Sequence, residues 1–173
     1  MSLILYRCNL LLVGNFNADT NAQRAANGDL LTDLHTEWTA AAGPALTEGG
    51  RARLGRALAE VHHGGPVKRS EAAPILCDVL TDLFHSADGH LSATGLLSAA
   101  CAELRATAPM TGNLPTVGED GRCGRTASAL ASVLDYADLC GFHLENLAIL
   151  AHTKWSDEVE AERFAHIRAT RRR

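Results

Sequence analysis

Aromatic side chains make up only 5% of this sequence, and proline occurs five times in 173 residues. So little proline leaves long segments free to form uninterrupted helix. No CxxC spacing occurs, and the five cysteines, Cys8, Cys77, Cys101, Cys123 and Cys140, are odd in number and far apart. That distribution argues for thiols in a reducing compartment and against a disulfide framework or a zinc knuckle. The phosphate-cradling patterns GxGxxG and GxxxxGK followed by Ser or Thr are both missing, so no familiar nucleotide loop is written in the chain. Long apolar runs are missing too. The opening MSLILYRCNLLLV is broken by Arg7 and Asn9, and no stretch approaches the roughly 20 residues that span a bilayer. The expectation is a cytoplasmic protein without a membrane partner or an export signal.

An excess of positive charge is also lacking. Sixteen basic against twenty acidic residues give a net charge of −4, which offers no general attraction to a phosphate backbone. The clusters Arg51, Arg53 and Arg56 and Arg171 to Arg173 carry no interleaved aromatics, so nucleic acid is not an expected partner. Apolar residues at 46% and charged residues at 21% describe an ordinary globular chain, and its length suits one domain spanning residues 1–173.

Hydrophobic periodicity predicts a mainly α protein, a bundle of five or six helices behind an irregular or short-strand N-terminal arm over residues 1–17. The first helix runs from about Ala18 to Ala42, with Leu30, Leu31, Leu34 and Trp38 inward, and Gly43-Pro44 closes it. A second, from about Thr47 to Val61, turns Leu54, Leu58 and Val61 inward before the break His62-His63-Gly64-Gly65-Pro66. Ser70 is placed to cap a third, with Pro74 in its first turn. Its stripe is Leu76, Val79, Leu80, Leu83, Phe84 and Ala87, ending near Asp88-Gly89. Ser92 can cap a fourth helix reaching about Thr107, and residues 108–125 form the longest loop. Two more helices follow, hinged at Gly141: one from about Thr126 to Cys140 with Leu130, Val133, Leu134 and Ala137 inward, and one from about Leu144 to Arg168 with Leu147, Ala151, Trp155 and Val159. In the last, Asp157, Glu158, Glu160 and Glu162 precede Arg163, Arg168 and Arg171 to Arg173. Within one helix this order brings almost no i,i+4 ion pairing. The apolar arm and Ala-rich stripes point to self-association as a dimer or higher oligomer.

Three segments echo one another: GDLLTDLHTEW from Gly28, CDVLTDLFHSADGHL from Cys77 and SVLDYADLCGFHL from Ser132. They fit either a duplication or the shared composition of Leu-rich amphipathic helices. Carboxylates are the first candidates for chemistry. Asp29, Asp33 and Glu37, and Asp78 with Asp82, recur at spacings of four, so each series shares a helix side, and two such helices could hold Mg²⁺ for a phosphate substrate. Taking Leu76 as zero at 100° per residue, Asp78, Asp82 and His85 lie at about 200°, 240° and 180°, facing away from the apolar stripe. The alternative to a metal site is therefore a solvated polar face. A zinc site from His85, His90, His143 and Cys140 has helix-end capping by His85 as its alternative. Nucleophilic chemistry at Cys123, between Arg122 and Arg125, or at Cys140, beside a base such as His143, has a thiol in a flexible loop as its alternative.

The stretch ILCDVLTDLFHSADGHLSATGLLSAACAEL, and less closely ALASVLDYADLCGFHLENLAILAHTKW, resembles the all-α nucleoside triphosphate pyrophosphohydrolases of the MazG type. The resemblance implies a helix bearing ExxD, an earlier helix bearing ExxE, and Mg²⁺ held by the four acids. Asp78 matches the final acid, while Ile75 stands at the preceding Glu position. In the later stretch Ser132 and Ala129 take the Asp and Glu positions, and Asp33 and Glu37 are the nearest upstream substitutes for ExxE. The function so implied is a divergent Mg²⁺-dependent nucleoside triphosphate pyrophosphohydrolase, with Asp33, Glu37, Asp78 and Asp82 on the metal, Asp78 and Asp82 catalytic, and a nucleotide as substrate. The alternative reading is a non-enzymatic helical protein that binds a partner protein and is of phage or mobile-element origin.

Overall fold

The computed structural model describes residue 16 and residues 18–42, 48–105 and 121–171. Among these the fold is all α. Six helices run in order: α1 Asn21–Ala42, α2 Glu48–His63, α3 Ala72–Ala87, α4 Ala93–Arg105, α5 Arg122–Leu139 and α6 Leu144–Thr170, with a 3-10 turn at Arg69–Glu71 before α3.

Helix α3 is the axis of the bundle and packs against all five other helices. Every residue from Val79 to Ala87 is buried, so this segment has no solvent side at all. Its Leu76, Val79, Leu80, Leu83, Phe84 and Ala87 join Leu31, Leu34 and Trp38 of α1, Leu54, Leu58 and Val61 of α2 and Leu130, Val133, Leu134 and Ala137 of α5 in one continuous core. These are the residues expected to point inward. Leu30 is the exception, at 40% exposure, because the α1 stripe runs through Leu31 and Leu34 and leaves it at the edge.

Local signals account for several helix ends. Ser92 Oγ accepts the Gly95 N–H at 3.1 Å and so caps α4. After α5, Gly141 takes φ +80°, its N–H bonds the Asp138 carbonyl at 2.7 Å, and the Phe142 N–H bonds the Ala137 carbonyl at 3.0 Å. This paired closure needs a left-handed residue, which glycine supplies without steric cost.

Two expectations fail here. Ser70 lies inside the 3-10 turn, and α3 starts after Glu71 without a side-chain cap. Helix α5 begins at Arg122, four residues earlier than the glycine content suggested, so Cys123 is a buried helical residue rather than a loop thiol. The expected strand of the N-terminal arm and the loop up to Asp120 lie outside the described residues, apart from buried Phe16 and the short stretch that follows it.

Glycine sets how closely the helices cross. A Cβ at Gly28 would overlap the Asp82 carbonyl, and a Cβ at Gly55 would overlap that of Ser132. Helices α1 and α2 therefore meet α3 and α5 backbone to backbone at these points. Next to the second crossing, His35 Nε2 and Ser132 Oγ are 2.8 Å apart in the core. Burial pushes the His35 imidazole down to about 4.

Gly28→Ala should destabilise the fold by about 2–3 kcal/mol through overpacking, although alanine in an open helix is worth about 1 kcal/mol over glycine. Gly49→Ala, with nothing within 4 Å of its added methyl, should lose nothing. Chemical denaturation of both variants checks the contrast. The second expectation concerns pH. Because the folded His35 resists protonation while the unfolded chain does not, its contribution is complete above about pH 6.5 and lost as pH falls towards 4. The loss should reach about 3 kcal/mol, and His35→Gln should lack that part of the slope in denaturation curves taken across this range.

Candidate functional site

The close crossing at Gly28 carries a polar assembly inside the bundle. Asp82 of α3 is completely buried, yet both its oxygens are bonded. Arg24 Nη1 donates to Oδ1 at 2.8 Å, and Asn27 Nδ2 to Oδ2 at 3.1 Å, both from α1. His62 Nε2, at the end of α2, is 3.0 Å from Oδ2. Arg24 Nε also reaches Glu158 Oε2 of α6 at 2.8 Å, and His85 Nε2 of α3 lies 3.0 Å from the same oxygen. A carboxylate only accepts, so in both imidazoles Nε2 is the nitrogen that carries the hydrogen.

The result is a chain His62–Asp82–Arg24–Glu158–His85 joining α1, α2, α3 and α6. Burial by itself would lower the affinity of the Arg24 guanidinium for its proton. The hydrogen bond to Asp82 and the charges of Asp82 and Glu158 outweigh that and hold it above its ordinary value. Buried charges persist when paired and hydrogen-bonded in this way. A second polar group flanks the first. Asp29 Oδ1 accepts from Ser86 Oγ at 2.7 Å, and Arg122 Nη1 lies 3.1 Å from Asp29 Oδ2.

Beside the chain opens a cleft of about 290 Å³ walled by Phe16, Ala18, Arg24, His62, His63, Ile75 and Asp78. The Phe16 ring packs on His62 with centroids 5.1 Å apart, and Asn27 Nδ2 bonds the Phe16 carbonyl at 3.1 Å. Asp78 is ion-paired with Lys154 of α6. The cleft is lined mainly by polar surface, and Arg24, His62 and Asp78 on its wall are each paired, the first two with Asp82 and the third with Lys154.

The four acids named from sequence do not come together. Asp33 and Glu37 are exposed, and at 100° per residue they lie about 140° and 180° around α1 from Gly28, the crossing point. Asp82 is enclosed and engaged by three donors, and Asp78 alone borders the cleft. Among the described residues no group of three or more His, Cys, Asp or Glu is arranged to hold a metal ion. Asp78 and Asp82 thus share α3, while Asp33 and Glu37 stand on the exposed side of α1. The proposed solvated face is corrected as well: Asp82 and His85 are buried, because α3 is covered on every side. His90 and His143 are exposed while Cys140 is buried, so the weighed zinc set is dispersed.

Arg24, Asn27 and Glu158 were missed. The first two had a signal, since on α1 they share the helix side of Leu31, Leu34 and Trp38. A cation within an apolar stripe implies a buried acid facing it. No helix among the described residues is long and apolar enough to cross a membrane. No family model, curated protein or solved structure matches the chain.

Asp82→Ala should destabilise the protein by about 3 kcal/mol, since it removes the acceptor shared by Arg24, Asn27 and His62 and leaves Arg24 with Glu158 alone. Asp33→Ala should change stability by less than about 0.5 kcal/mol. Urea titration of both variants tests whether the buried or the exposed acid matters to the fold.

Proposed function

We propose that this chain is a helical protein-binding protein that docks its partner on the outward side of α6. The observation that carries the reading is the distribution of apolar residues on that helix. Leu147 and Ala151 are buried against the bundle, whereas Ile149, Leu150, Phe164 and Ile167 are 56%, 61%, 57% and 36% exposed. At 100° per residue these four fall within an arc of about 100° on the opposite side. Single exposed apolar residues are ordinary, but several aligned on one helix side mark an interaction surface. Every residue from Glu160 to Arg171 is exposed, so among the described residues little packing supports the last turns of α6. The buried ion chain supports the reading from the other side, because it anchors α6 through Glu158 to α1 and α3.

The second reading is the nucleotide hydrolase. Its support is the position of Asp78 on the wall of the cleft beside Arg24.

Placing a photo-crosslinking residue at position 164 in the native cells should give a discrete protein adduct, and the same residue at Asp33 should give none. No adduct at 164, or equal yields at both positions, rejects the docking reading. Release of pyrophosphate from nucleoside triphosphates with Mg²⁺, abolished by Asp78→Ala, would select the hydrolase instead.

A further inference from the structure

The exposed end of α6 has an order of charges that a second copy of this chain would match. Asp157, Glu160, Phe164, Ile167 and Arg171 follow one another at alternating spacings of three and four, the seam of a helix pair. All five are exposed, as is Arg168 beside them, and at 100° per residue the six lie within an arc of about 100°. Along this arc an acidic turn comes first, an apolar turn stands in the middle, and a basic turn comes last. The most distal hydrogen bond from the body to α6 among the described residues is that of Asn21 Nδ2 to the Glu158 carbonyl, at 3.3 Å. From Glu160 onward the arc therefore lies past the last hydrogen bond between the described body and α6, where a second helix can approach.

We propose that α6 pairs antiparallel with α6 of a second copy, about a two-fold axis between Phe164 and Ile167. This rests on the protein-binding reading of α6 and names its partner. The axis sets Phe164 on Ile167 of the other copy. It also sets Glu160 opposite Arg171 of the other copy, with Asp157 and Arg168 about one turn to either side of that pair. The same patch serves both partners, as a two-fold interface requires. Parallel pairing would set acid on acid and base on base. The charge segregation that yields no pairing within α6 becomes complementary only between copies, and it favours this orientation over the parallel one.

The test is sedimentation equilibrium of the full chain and three variants over a wide concentration range. The unaltered chain should form a dimer that dissociates on dilution. Phe164→Glu should leave it monomeric with its helical content by circular dichroism unchanged, because residue 164 is 57% exposed and lies past the last hydrogen bond between the described body and α6. Asp157→Lys with Glu160→Lys should weaken association by about tenfold or more. Adding Arg168→Glu and Arg171→Glu to that variant restores the native net charge and the complementarity, and should restore the dimer. A monomeric unaltered chain, a dimer indifferent to Phe164→Glu, or a fourfold variant no tighter than the twofold one overturns the proposal. The adduct at position 164 separates the two levels. An adduct with a different protein and a monomeric chain would sink the self-pairing while sustaining the docking role, and no adduct with a monomeric chain would sink both.

Discussion

A carboxylate shut away from water is the constraint around which this molecule is arranged. Asp82 has no exposed surface, and an ionised group in that position is tolerable only if its lost hydration is replaced bond for bond. Three side chains from two other helices make that replacement. They can do so because Gly28 lets α1 approach the α3 backbone more closely than any side chain would permit. The crossing and the ion chain are thus one feature seen twice, and α6 is drawn into it when Arg24 spends its second nitrogen on Glu158.

Saturation has a consequence for chemistry. A metal ligand needs a free lone pair facing open space, and a general base needs access to a proton on substrate. Asp82 has no exposed surface, and Arg24, Asn27 and His62 take up three of the roughly four acceptor sites of its carboxylate. Charge inside the bundle holds helices together, while the outer side of α6 exposes both apolar residues and charges.

Much of the architecture was legible in the sequence. The stripes of α2, α3 and α5 pointed inward as their spacing required, Ser92 capped α4, and Gly141 closed α5. Such features depend on residues a few positions apart, whose geometry is set by the helix itself. The site was less legible. The polar side of α3 reads as solvated on a helical wheel, because a wheel presumes that only one side is covered, and α3 is covered all round. Asp33 and Asp82 occupy matching places in the internal echo, yet one is in solvent and the other is buried. Identical local patterns reached opposite environments because their helices hold different places in the bundle.

The order of residues alone determined the helical class, the positions of most helix ends, the inward stripes and the acid-to-base gradient along the last helix, since each follows from spacing and intrinsic preference. Tertiary structure alone decided which charges meet. The partners of Asp82 lie 58, 55 and 20 positions away, and no local rule measures such a distance. Only the packing of four helices around one close crossing brings those groups within a hydrogen bond of each other, and only that packing leaves the far side of α6 uncovered.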